Sequence, residues 1–174
     1  NLSVDTTIYQ NAGANLIQQI AYALAHANEY LTRFGAKIAN KIQFKFATGS
    51  NYFFEIAKIR AFRYLYNLIL SNYNTTAIAQ VYSESSYRNK TLYITPTNTF
   101  RSTSEAVSAI LGGANTISID SHFFEKDIPN TITNSQQQIL NYTQQFKNKK
   151  DITENSYYIE SLTKQLAEKA LIIF

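Results

Sequence analysis

Side chains able to do acid–base, metal or nucleophilic chemistry are few in this chain. It has two histidines and no cysteine, which excludes disulfides, thiolate metal sites and a cysteine nucleophile. His26 lies in Ala23-Leu-Ala-His-Ala27, inside a helical pattern, where a surface or packing role is expected. His122 stands in Asp120-Ser-His-Phe-Phe-Glu125, a spacing that lets a carboxylate orient an imidazole from behind, although a loop histidine is the simpler reading. No Ser-His-Asp set, Gly-rich phosphate loop or metal-ligand spacing accompanies them. Glu55 and Arg60, with Lys58 nearby, carry charges that can pair along one helix, an interaction usually worth tenths of a kcal/mol.

The strands hold a second kind of chemistry. Gln43 and Lys45 alternate with Ile42, Phe44 and Phe46, and Thr116 and Ser118 alternate with Ile117 and Ile119. Alternation sends successive side chains to opposite faces of a sheet, so one face of these strands is polar. Such a face either admits a polar ligand or carries a satisfied internal network, and the residues leave both readings open. Thirteen tyrosines and eleven phenylalanines mostly follow core spacing, so packing rather than base or sugar stacking is their expected role.

These residues need elements to hold them. Val4 to Tyr9 reads as a strand, and Ala12 to Phe34 as a helix with Leu16, Ile20, Leu24, Ala27 and Leu31 on one face and Gly35 as its exit. Ile42 to Ala47 is the second strand. Asn51 is expected to cap a helix running to about Asn72, with Phe53, Ile56, Ala57, Leu65 and Ile69 turned inward. Ala77 to Ser83 is the third strand, followed by a polar loop through Pro96. In Arg101 to Asp120 a helix with Ala106, Val107, Ile110 and Leu111 on its apolar face meets Gly112-Gly113, and Asn115 to Ile119 follows as a strand. A polar helix near Ser135 to Phe146 and a last helix from about Ser156 to Ile173 complete the pattern. The order is βα four times plus one further helix, which predicts an α/β fold with a parallel sheet and right-handed crossovers. A doubly wound sheet and half of a (β/α)8 barrel both fit.

At 174 residues, 45% hydrophobic and only 16% charged, the chain is long enough for one domain with a substantial core and is not disordered. The net charge is +4, yet the basic residues are scattered. The Lys147-Asn-Lys-Lys150 cluster reads as a solvated loop rather than a nucleic-acid patch. No apolar run reaches bilayer length and the start lacks signal-peptide features, so the expectations are no membrane, no nucleic acid and a cytoplasmic setting. The chain contains no Met and its last helical pattern runs to Phe174 without a stop signal, which predicts a segment of a longer protein.

Four stretches resemble one family. Asn51-Tyr-Phe-Phe-Glu-Ile-Ala-Lys-Ile-Arg-Ala61 is similar to the strongest helix signature of the methylmalonyl-CoA mutase family, and Arg101 to Ile117 is similar to that family's last barrel helix and strand. Ser156 to Ala170 resembles a block that usually begins Gly-Ser-Tyr-Tyr, and Asn11-Ala-Gly-Ala14 with Glu29-Tyr-Leu31 adds a fourth match. The resemblance implies the C-terminal half of a (β/α)8 TIM barrel, about strands five to eight, across residues 1–174, with no cobalamin-binding domain. It implies an adenosylcobalamin-dependent isomerase that interconverts succinyl-CoA and methylmalonyl-CoA by a radical route, with the pantetheine arm threaded past small polar side chains on the barrel axis. Asp120-Ser-His122 comes close to the family's Asp-x-His-x-x-Gly cobalt-ligating signature, but Glu125 stands at the glycine.

The departures point to one branch of that family. In the family's His-x-Gln-Glu-x-Gly-Ala run, the histidine position is Ile8 and the first glutamine is Gln10. A His-x-Gln on the next-to-last strand falls near Tyr82-Ser83-Glu84, and a Gln-Ser pair becomes Asn115-Thr116, while strand polar positions map to Lys41 and Gln43. The resemblance therefore implies the small, non-catalytic subunit of a heterodimer. It would have no catalytic residue of its own and a vestigial lining of Gln10, Lys41, Gln43, Asn115 and Thr116. Adenosylcobalamin would be held by the large catalytic subunit and not by this chain. The alternative readings are a segment of an active acyl-CoA mutase chain and an unrelated α/β binding domain.

Overall fold

The computed structural model describes residues 2–93, 96–119, 135, 136, 138–140 and 151–174. The order is β1 (Leu2–Asp5), α1 (Thr7–Asn11), α2 (Leu16–Phe34), a 3-10 turn (Ala36–Lys41), β2 (Ile42–Thr48), α3 (Tyr52–Asn72), β3 (Gln80–Ser85), α4 (Pro96–Leu111), β4 (Thr116–Ser118) and α5 (Tyr157–Ile173). The four strands form one parallel sheet in the order β1-β2-β3-β4. A doubly wound sheet reverses its strand order at a switch point, and no reversal occurs here. With crossovers of the usual hand this order puts every connecting helix on one face. Accordingly α2 packs on α3 and α3 on α4. The described fold is thus a singly wound parallel α/β sheet, consistent with part of an α/β barrel.

The expected first strand ends early, because Asp5 turns the chain. Its Oδ1 accepts from the Thr7 amide at 2.9 Å and from Thr7 Oγ1 at 2.6 Å, an Asx-type arrangement that opens a helix. Tyr9 and its neighbours are therefore helical rather than extended. The second helix starts later than expected, at Leu16, because Asn15 and Gln18 form a reciprocal capping box. Asn51 occupies the N-cap position of α3, but its side chain makes no cap hydrogen bond. The third strand also lies later, at Gln80–Ser85, and α4 begins at Pro96, where proline suits a first helical turn. The Lys147 cluster and Asp120, His122 and Glu125 lie outside the described residues, as does most of the expected helix near Ser135 to Phe146.

The core sits between the sheet and α3. Phe44, Phe46, Phe62 and Tyr66 are fully buried, with ring centroids 4.6 Å apart for Phe44–Phe62, 4.9 Å for Phe46–Phe62 and 5.0 Å for Phe44–Tyr66. Helix α3 is enclosed on several sides, since α5 packs against both α3 and α2 through Leu162, Leu166 and Ala170. Phe53 is not inward as expected. It is 47% exposed and meets Tyr158 of α5 edge-on at 5.5 Å.

On α4 the buried face is more polar than the apolar spacing suggests: Ser102, Glu105 and Ser108 are buried together with Ala106 and Ala109. The two glycines after α4 have different jobs. A Cβ on Gly112 would lie 3.1 Å from the Ile56 carbonyl and from Ile59 Cβ, so Gly112 lets α4 approach α3. Gly113 has φ +89° and makes the turn into β4.

The helix-surface pair expected between Glu55 and Arg60 does not form. Arg60 instead bonds Asp151, Thr153 Oγ1 at 2.9 Å and Glu160 Oε1 at 2.5 Å, which fastens α5 to α3. Burial tends to raise the Asp151 carboxyl. Hydrogen bonds from Arg60 and Thr153, with the charge of Arg60, outweigh it and hold the group below its ordinary range. A depressed folded pKa adds stability above the unfolded value and loses it as pH falls through the folded value. Asp151→Asn should therefore be less stable than the parent near neutrality, with the gap closing in acid. Unfolding midpoints measured from about pH 6 to 2 check this, and a gap independent of pH would refute the assignment.

Candidate functional site

Parallel α/β folds place their chemistry beyond the carboxyl ends of the strands. Here that end is polar. Thr6, Thr7, Gln10, Thr48, Ser83, Ser85, Ser86 and Glu105 are all buried there. Gln10 reaches from α1 to the end of β3, where its Nε2 donates to Ser86 Oγ at 2.6 Å, while its Oε1 is buried without a protein partner. Thr48 and Ser83 hydroxyls lie 2.5 Å apart between β2 and β3. Glu105 meets Lys90 Nζ at 2.6 Å and also accepts from Asn89. Burial raises its pKa, against the lowering contacts of Lys90, Asn89 and Ser85.

Three arginines tie the loops together. Arg88 Nη1 donates to the Gln10 carbonyl at 3.1 Å, and Arg101 donates to the Asn89 carbonyl. Arg63 Nη2 donates to the Gly113 carbonyl at 2.5 Å and to Asn115 Oδ1 at 2.6 Å. Beneath β2, Lys58 is fully buried. Its Nζ donates to the Ala47 carbonyl at 2.7 Å and Gln19 Oε1 at 3.2 Å, and lies 2.5 Å from Glu55 Oε2. Glu55 Oε1 in turn accepts from the Gly49 amide at 3.0 Å. This ties together α2, α3 and the end of β2.

The face of the sheet turned away from the helices is the second polar region. Register places Ser3 beside Gln43 and Gln43 beside Gln80, then Asp5 beside Lys45, Lys45 beside Tyr82 and Tyr82 beside Thr116. Lys45 Nζ lies 2.9 Å from Glu84 Oε2 and 3.6 Å from Asp5 Oδ2, with the Tyr82 ring centroid at 5.9 Å. Burial lowers the Lys45 pKa, but the hydrogen bond and charge of Glu84, with Asp5, leave it raised. A recess of about 280 Å³ lies beside this row, lined by Ser3, Gln43, Lys45 and Tyr82. The larger groove, about 800 Å³ and lined in part by Asn40, Asn74 and Ile78, lies before β2 and β3 at the opposite end.

The residues singled out from sequence are dispersed over these regions. Ile8 is 59% exposed on α1. Gln10 is buried at the strand ends, as above. Gln43 and Thr116 share the polar face and are exposed, with β3 between them. Lys41 is exposed in the 3-10 turn before β2. Asn115 bridges strands: its amide donates to the Val81 carbonyl at 2.8 Å and its Oδ1 accepts from the Val81 amide at 2.9 Å. His26 Nε2 is 2.6 Å from the Tyr9 hydroxyl, a packing and surface arrangement. The Asp5–Lys45–Glu84 row is missing from the sequence-derived site. Lys45 was visible in the alternation of β2, but Asp5 and Glu84 join it only through register.

Among the described residues no group of three His, Cys, Asp or Glu side chains could hold a metal ion, and no helix is long and apolar enough to cross a membrane.

Comparison with known proteins gives these features a context. A sequence profile of the family described as methylmalonyl-CoA mutase matches residues 1–174. The methylmalonyl-CoA mutase small subunit of Porphyromonas gingivalis is 35% identical over 99% of this chain and 30% of its own length. The methylmalonyl-CoA mutase of Rhizobium meliloti is 32% identical over 98% of the chain and 26% of its own length. The small subunit from Propionibacterium freudenreichii subsp. shermanii is 27% identical over 97% of the chain and 29% of its own length. The chain thus spans under a third of the relatives it matches. It belongs to the methylmalonyl-CoA mutase family.

Proposed function

We propose that this chain is the C-terminal half of a (β/α)8 barrel, about strands five to eight, in the small subunit of an adenosylcobalamin-dependent methylmalonyl-CoA mutase. Its role is structural. It supports a large catalytic subunit that holds cobalamin and rearranges succinyl-CoA and methylmalonyl-CoA in the cytoplasm. The observation that carries this reading is Ile8, an exposed aliphatic side chain at the position where the family's resemblance places a catalytic histidine. An aliphatic group has no proton to give a thioester carbonyl and cannot stabilise charge developing there. The strand order and the one-sided helices support the barrel half, and likeness to two named small subunits supports the subunit assignment.

The residues Gln10, Lys41, Gln43, Asn115 and Thr116 are then an inherited lining. Two of them now serve the fold, Gln10 through Ser86 and Asn115 through Val81. The test is co-expression of the full-length protein containing this segment with a large subunit. A stable complex, with no turnover by this protein alone, is the expected result. Rearrangement of an acyl-CoA by this protein alone contradicts it.

Similarity to the methylmalonyl-CoA mutase of Rhizobium meliloti, at 32% identity, and to the large subunit of Porphyromonas gingivalis, at 30%, favours a second reading as part of a catalytic chain. Ile8→His separates the two. It creates no activity in a structural subunit and raises the activity of a catalytic chain.

A further inference from the structure

We infer that the Asp5–Lys45–Glu84 row closes the polar face of this sheet to anionic acyl thioesters, making it an exclusion device rather than a binding surface. The inference rests on the structural reading above and adds how this chain leaves ligand to its partner. Three observations support it. The row crosses three adjacent strands, because Lys45 on β2 reaches Asp5 on β1 and Glu84 on β3. A linear ligand running along the sheet must therefore cross it. Its members are partly withdrawn from water, with side-chain exposures of 30% for Lys45, 20% for Glu84 and 41% for Asp5, so their charges are less screened than freely exposed ones. Two carboxylates against one ammonium leave the row itself net negative.

Lys45, the group that would attract an anion, is already engaged on both sides. A phosphorylated thioester would have to displace it from two carboxylates and then lie beside them. A surface selects against a ligand by presenting like charge and groups that lose their partners when the ligand enters. The recess lined by Ser3, Gln43, Lys45 and Tyr82 lies directly beside the row.

The test measures binding of succinyl-CoA to the full-length protein. The parent protein is compared with a triple variant, Asp5→Asn, Lys45→Ser and Glu84→Gln. Asparagine keeps an oxygen for the Thr7 amide, and co-elution with the large subunit reports folding. If the triple variant does not assemble, Glu84→Gln alone opens the bridge to β3 and leaves Lys45 paired with Asp5 in a neutral row, with a smaller gain expected. The parent alone should show no saturable binding at millimolar ligand, and the variant should gain affinity by at least about tenfold.

Equal binding by parent and variant overturns the inference. Absence of binding by both also overturns it, since something other than the row then closes the face, and leaves the structural role intact. Turnover by the parent protein alone is the separate result that sinks the structural role.

Discussion

Lys58→Met in the full-length protein is expected to destabilise the β2–α3 region by about 3–5 kcal/mol, the usual consequence of removing one member of a buried ion pair. The reason lies in what remains. Lys58 is fully buried, and its loss strips the ammonium from Glu55 and the donor from the Ala47 carbonyl and Gln19 Oε1. An unpaired buried carboxylate and an unsatisfied carbonyl each carry a desolvation cost. Adding Glu55→Gln should recover about half of the loss, because the amide oxygen still accepts from the Gly49 amide while the stranded charge disappears. Hydrogen exchange of peptides spanning residues 44–60, with denaturant midpoints, measures both effects. A loss below about 1 kcal/mol for the single variant would mean that the site relaxes or hydrates without cost.

Phe62→Ala should cost a comparable amount, about 3–5 kcal/mol, for a different reason. Its ring is the common neighbour of Phe44, Phe46 and Tyr66, and truncation leaves a cavity that three fixed rings cannot fill. Tyr66 is also anchored, through its hydroxyl to the Ala39 carbonyl at 3.1 Å, and burial pushes its pKa up to about 12. Phe53→Ala, nine positions earlier on the same helix, is the control. Its ring is half exposed and packs on Tyr158, so a loss of about 1 kcal/mol is expected. Equal losses at the two positions would contradict the placement of the core.

The contrast between these phenylalanines shows where sequence pattern sufficed and where it did not. Periodicity locates α2 and its inner residues Ile20, Leu24, Ala27 and Leu31 correctly, because a helix with one buried face obeys a single period. Helix α3 packs on α2, α4 and α5 as well as on the sheet rings Phe44 and Phe46, so its buried positions spread round the helix and period alone does not say which way Phe53 points. The polar alternation of β2 and β4 was legible. The ion row was not, since it depends on the register that sets Asp5 beside Lys45 and brings Glu84 within reach. Local side-chain chemistry likewise decided the first strand: Asp5 ended it by accepting from the Thr7 amide and hydroxyl, against a run whose β-branched residues favour extension.

The central claim is that this chain supports a catalytic partner without contributing catalytic groups. It is tested most directly by kcat/KM of the two-subunit enzyme carrying Gln43→Ala and Thr116→Ala in this chain. Both residues lie on the polar face of the sheet, and co-elution of the two subunits reports assembly of the variant. A structural subunit predicts kcat/KM within about twofold of the parent. A fall of about a hundredfold in an intact complex, equivalent to about 2.7 kcal/mol of transition-state stabilisation, would show that this face takes part in the reaction and would contradict the account.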